Sequence, residues 1–110
     1  MVHILTENNR IHPWTTYSQE KTKGYVKGYA FYREELLQEE ALFQTVQKAW
    51  LEKDLEQLLL NLNGQFSIIL RQEEQTILIT DKIRSFPLFY LTIGNEYIVT
   101  DTGDTAYQML

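Results

Sequence analysis

The residues able to carry chemistry are few in this chain. None of its 110 residues is a cysteine. That removes disulfides, thiolate metal sites and any cysteine nucleophile. His3 and His12 are the only histidines and stand nine positions apart, with no ligand pair at helical or hairpin spacing. The acidic residues are scattered, and no EF-hand-like loop occurs. The three serines, Ser18, Ser67 and Ser85, lie outside any nucleophile elbow, and neither histidine has a triad partner. The five glycines are isolated from one another, so no phosphate-cradling loop is present. From these residue types no catalytic residue, cofactor-binding residue or metal ligand is assigned, and no cofactor is expected.

Two segments carry more pattern. Lys27-Gly28-Tyr29-Ala30-Phe31 satisfies the first five positions of the RNP1 signature, in which aromatics stack bases and a cation holds phosphate. The signature then fails, with Tyr32 for Val and Glu34 for an aromatic. The element order around it is also wrong for that fold. These residues read better as an aromatic core strand. The second segment is Asp81-Lys82-Ile83-Arg84-Ser85-Phe86-Pro87, followed by Leu88-Phe89-Tyr90. In one reading Asp81 pairs with Lys82 or Arg84 at the surface, worth under ~1 kcal/mol. In the other, the Asp81 carboxylate caps backbone N–H groups of an ordered loop. Pattern alone leaves both open.

The elements that must position these groups follow from periodicity. Val2, Ile4 and Leu5 suggest a short strand, Asn8-Asn9-Arg10 a turn, and Trp14–Tyr17 a second strand. Residues 24–32 are β-prone, with Gly28 as a bulge or close approach. From Glu34 the pattern turns helical: Leu37, Ala41, Val46, Ala49 and Trp50 recur, with acids early and Lys48 late. Asp54 with Gln57 resembles a capping box, and a short helix follows with Leu55, Leu58, Leu59 and Leu62 on a packed face. Gly64 suits the position after its C-terminus. Phe66–Arg71, Thr76–Asp81, Pro87–Thr92 and Tyr97–Asp101 read as strands, with Gly94-Asn95 a hairpin turn. Such close spacing predicts an antiparallel meander. Thr105–Leu110 reads as the start of a further helix. Strands, then helices, then strands make an α+β fold of antiparallel β-sheet with two helices inserted between strands.

Composition bounds the rest. The chain is a single domain, 1–110, long enough to bury a core without staples. Its 15 acidic and 10 basic residues leave a net charge of -5. That excludes a general nucleic-acid binder, which needs a net basic face. No apolar run approaches the ~20 residues that span a bilayer, and no signal peptide is recognisable. A cytoplasmic location and no membrane partner are the expectations.

Three stretches, in order and spacing, resemble the N-terminal glutamine-amidotransferase (type 2) domain of asparagine synthases. Leu62-Asn63-Gly64-Gln65-Phe66-Ser67 resembles that family's L-N-G-x-F-A. Asp81 through Tyr90 resembles D-R-F-G-I-K-P-L-Y-Y, keeping Asp81, a basic second residue, Pro87, Leu88 and Tyr90. Ile98-Val99-Thr100-Asp101 echoes F-A-S-E. Asn63, Gly64, Phe66, Asp81, Arg84, Pro87, Leu88, Tyr90 and Asp101 are thus structural motif positions. The resemblance implies an Ntn-hydrolase-like, reduced amidotransferase sandwich. In active members an N-terminal cysteine attacks the glutamine amide, its α-amino group acts as base, and an Asn and a Gly stabilise the oxyanion. The released ammonia passes to an ATP-using synthase domain.

This chain departs from the family where the reaction occurs. Val2 follows Met1, and no cysteine can replace it. The N-G-E-I-Y-N oxyanion motif falls on Lys27 to Tyr32, which puts Lys27 at the Asn position. No R-G-P-D segment precedes Lys27. The resemblance therefore implies a catalytically silent domain, a pseudoenzyme, of or beside an asparagine-synthase-like ATP-dependent amide-forming enzyme. Its partners would be a synthase-type domain, in the same or a neighbouring chain, or a second copy. Tyr25, Tyr29, Phe31, Phe86 and Phe89 are the candidate contact residues. The rival expectation is an independent peptide- or ligand-binding α+β module with no enzymatic partner.

Overall fold

A computed structural model describes residues 2–6, 13–73 and 75–102. The described elements are β1 (Val2–Leu5), β2 (Thr15–Gln19), β3 (Thr22–Tyr32), β4 (Glu35–Gln38), α1 (Glu39–Leu51), α2 (Leu55–Leu60), β5 (Asn63–Arg71), β6 (Thr76–Thr80), β7 (Phe89–Ile93) and β8 (Glu96–Thr100). They build a small α+β fold with two sheets, mostly antiparallel. One sheet runs β2-β3-β5-β6, with β4 also paired to β3; the other runs β1-β8-β7. β6 and β7 fall in different sheets, so the antiparallel meander expected of the last four strands breaks between them, and β1 lies parallel to β8. The chain ends up in two sheets because β5 buries both of its faces.

Period-two alternation assigns those faces. Val26 and Ala30 of β3, Phe66, Ile68 and Leu70 of β5, and Ile79 of β6 pack against Leu42, Phe43, Val46 and Leu58 of the helices. Ile69, on the opposite face of β5, packs with Trp14, Leu88 and Val99, joined by Val2, Ile4 and Tyr25. The order of layers is helices, five-stranded sheet, three-stranded sheet. A middle sheet must be apolar on both sides, which is why residues 67–70 read Ser-Ile-Ile-Leu without alternation, each fully buried. Phe43 also stacks on Tyr17, with ring centroids 5.5 Å apart.

Several local expectations need correction. The helix predicted from Glu34 begins at Glu39, and Glu35–Gln38 instead pairs antiparallel with β3. Arg33 and Glu34 both take positive φ (50° and 67°), the backbone of a tight two-residue hairpin. Without glycine or asparagine there, the turn is invisible in the sequence. Leu37 is buried from this strand, at Ala30, and not from α1. The Asp54 side chain makes no cap hydrogen bond; only its carbonyl accepts, from Leu58 N–H at 3.2 Å. α2 ends at Leu60 with Asn61 as its C-cap, so Gly64 is no helix cap but the second residue of β5. The expected Asn8–Arg10 turn and Thr105–Leu110 helix lie outside the described residues.

Gly28 and Gly64 lie where β3 and β5 approach most closely. Gly28 sits at φ 92°, and a Cβ there would fall on the Gln65 carbonyl oxygen. A Cβ on Gly64 would fall on the Tyr29 carbonyl oxygen. Backbone cannot yield as a flexible side chain can. Replacing Gly28→Ala combines a clash with a strained φ and should lower unfolding free energy by about 4 kcal/mol or more, the tail of single-substitution effects. Urea denaturation of the variant checks this.

Candidate functional site

The polar side chains on the middle sheet's inner face, with the loop between β6 and β7, form the candidate site. Asp81 directly follows β6 and is buried. Its Oδ1 accepts from the N–H of Phe66 at 3.2 Å and of Ser85 at 3.1 Å. Its Oδ2 accepts from the Ser85 hydroxyl at 2.9 Å. The Arg84 N–H donates to the Asp81 carbonyl at 3.0 Å, closing a turn, with Arg84 at φ 54°. Among the described residues no ion pair joins Asp81 to Lys82 or Arg84. Arg84 instead reaches forward, donating from Nη2 to the Leu88 carbonyl at 3.4 Å. Of the two arrangements open for Asp81, the structure has the backbone-capping one. The carboxylate fixes the loop to β5 at Phe66, and the loop delivers Leu88 into the core between the sheets.

A second cluster lies on the same side of the middle sheet. Trp14 Nε1 donates to Asp101 Oδ2 at 2.7 Å. The ring of Trp14 is buried, and the Lys27 ammonium lies 5.3 Å from its centroid and 5.3 Å from that of Phe86. Both are cation–π distances. Lys27 is half-buried, with no ion-pair partner among the described residues. Directly opposite Lys27 on β5 is Ser67, fully buried, whose hydroxyl has no hydrogen-bond partner among the described residues. A serine nucleophile needs a base within hydrogen-bond reach. Ser67 has none here, and the Ser85 hydroxyl is held by a carboxylate already engaged by two N–H groups. Among the described residues the arrangement shows no assembled nucleophile and base.

The remaining sequence-chosen residues divide by exposure. Phe66 and Leu88 are core, while Asn63 is exposed at the start of β5. Pro87 is half-buried in the loop before Leu88. Tyr90 is 60% exposed and stacks on Tyr97, with centroids 6.2 Å apart. Of the contact candidates, Tyr25, Tyr29, Phe86 and Phe89 are half-buried, and Phe31 is 45% exposed beside Tyr29. They do not form one surface: Tyr25 packs into the inter-sheet core, and Phe86 is covered by Lys27. Trp14 and Lys27 were legible only as a strand start and a motif mismatch; their pairing needs the fold.

Val2 brings only methyl groups. It lines an inter-sheet cleft of about 500 Å³ with Thr76, Leu78, Tyr90, Tyr97 and Val99. Gly28 lines a different groove of about 200 Å³ with Tyr29, Thr15 and Gln38. His3 Nε2 lies 2.7 Å from Glu96 Oε2, at the exposed side of the second sheet. Among the described residues no group of three acidic or histidine side chains could hold a metal ion. No described helix is long and apolar enough to cross a membrane. No family model, curated protein or solved structure matches the chain.

Substitutions at two residues test this reading in opposite directions. Asp81→Ala strands two N–H groups and should cost about 2–3 kcal/mol, with Asp81→Asn losing roughly half of that because one acceptor oxygen remains. Ser67→Ala removes an unpartnered buried hydroxyl and should raise stability by about 1 kcal/mol. Denaturant midpoints of the three variants against the parent chain measure both.

Proposed function

We propose that this chain is a catalytically silent glutamine-amidotransferase-like domain, an Ntn-hydrolase-like sheet sandwich that serves as scaffold or docking module for an ATP-dependent, amide-forming synthase. The observation that carries the proposal is how the three family-like stretches meet in space. Asp81, from the second stretch, accepts from the N–H of Phe66 in the first. Leu88 of the second and Val99 of the third share one core cluster. Asp101, closing the third, accepts from Trp14. Stretches chosen only by sequence resemblance thus interlock through hydrogen bonds and packing.

The same geometry speaks for silence. No cysteine among the 110 residues supplies the thiolate the reaction needs, and Lys27, at the oxyanion Asn position, is turned toward two aromatic rings. The partner is a synthase-type domain, in the same chain or a neighbouring one, and the compartment is the cytoplasm. Incubation with glutamine should release no more ammonia than buffer. An S-G-G-x-D-S protein encoded in frame or alongside should co-purify with the chain. Ammonia above the control, or the lack of any such neighbour, overturns the proposal.

One observation favours a second reading, a stand-alone binding module. The inter-sheet cleft is lined by apolar and tyrosine side chains and is large enough for a small aromatic molecule or a peptide side chain. Saturable quenching of tyrosine fluorescence by such a ligand, abolished by Tyr97→Ala, would favour this reading over the scaffold.

A further inference from the structure

The five-stranded sheet ends at β6, and among the described residues nothing pairs with its outer edge. Natural edge strands are guarded by charge, proline, a bulge or a covering element. β6 reads Thr-Ile-Leu-Ile-Thr, with no charge and no proline. Its register with β5 is unbroken from Thr76 to Thr80, so it has no bulge either.

The hydrogen-bond phase tells which residues face outward. Gln72 N–H donates to the Gln75 carbonyl at one end of the hairpin, and Asp81 N–H donates to the Phe66 carbonyl at the other. With the observed register, Ile77 and Ile79 therefore direct their backbone groups toward β5. Thr76, Leu78 and Thr80 direct theirs to the open edge. The strand is also a palindrome centred on Leu78. An antiparallel pairing about a two-fold axis at Leu78 sets Leu78 against Leu78, Thr76 against Thr80 and Ile77 against Ile79. All three outward residues fall at hydrogen-bonded positions, for up to about six N–H···O bonds. Ile77 and Ile79 fall at the closer non-hydrogen-bonded positions, on the helix side.

We infer that β6 is a self-recognition edge, through which two copies of this chain join their middle sheets about a two-fold axis. The occupant is a second copy because two-fold pairing about Leu78 sets Thr against Thr, Ile against Ile and Leu against Leu, cross-strand pairs that pack without any charge repulsion. The exposed apolar groups beside the edge point the same way. Leu78 (36% exposed), Tyr97 (44%) and Tyr90 (60%) line a cleft that opens beside β6, and the partner's Leu78 would continue its wall. The pairing stands on the edge strand alone and is independent of the relation to amidotransferases.

The absence of cysteine makes the register directly testable. At a hydrogen-bonded antiparallel pair, facing Cα atoms lie about 5.5 Å apart, within disulfide range. Leu78→Cys should therefore give a disulfide-linked dimer under mild oxidant, whereas Thr76→Cys, which faces Thr80, should not. In sedimentation equilibrium the parent chain should approach twice its 13.1 kDa mass. Leu78→Lys should weaken that association at least about tenfold while leaving the far-ultraviolet circular dichroism unchanged, because its side chain is already partly in water. A parent chain that stays monomeric, a dimer that survives Leu78→Lys, or equal cross-linking of both cysteine variants would each overturn the inference.

Discussion

The structure depends on one constraint: β5 is buried on both faces, and the strand beside it must approach closely enough to leave no gap. Ile68 and Leu70 face the helices, while Ser67 and Ile69 face the second sheet, all fully buried. Everything that covers β5 is arranged to keep water from its backbone. β3 pairs with it over nine residues, from Lys23 to Phe31. The missing side chains of Gly28 and Gly64 let the two strands lie in direct backbone contact. The helices then need only one apolar stripe each. Burial of such surface contributes roughly 25 cal/mol per Å², so a two-faced central strand concentrates stability in few residues.

Where β5 begins, the same constraint creates a polar problem. The Phe66 N–H is buried beside the chain's turn out of β6, and an unpaired buried N–H costs about 1–3 kcal/mol. Asp81 resolves it by accepting from Phe66 and Ser85 together. That pins the loop, fixes the path through Pro87, and sets Leu88 against Ile69 and Val99. A residue that reads as surface charge is thus an internal tie between sheet and loop. Lys27 and Trp14 show the opposite balance. A half-buried cation between two rings and a tryptophan N–H on a carboxylate satisfy polar atoms without assembling a reaction centre.

Much of the strand pattern was legible because alternation and turn residues are local. Thr76–Thr80, Glu96–Thr100 and the Gly94-Asn95 turn lie within a residue or so of expectation. The errors came where non-local energy overrode local preference. Glu35–Gln38 carries helix-forming residues, yet the open edge of β3 beyond the reach of β2 captures it as a strand. Gly64 looked like a helix terminator because glycine ends helices often. Its actual reason is a neighbouring backbone 34 positions earlier, at Ala30. The site was legible only in parts: Asp81 and its loop stood out, but the choice between capping and surface pairing turned on burial.

The amino-acid sequence by itself determined most of the element types, the α+β order, the cysteine-free chemistry and the palindromic Thr76–Thr80 strand. These follow from residue identity and short-range periodicity. The tertiary structure alone decided that there are two sheets, that β1 joins β8 in parallel, that Asp81 is buried, and that Lys27 meets Trp14 and Phe86. Each of those depends on which surfaces are removed from water together. That is a property of segments far apart in the chain, and no local pattern encodes it.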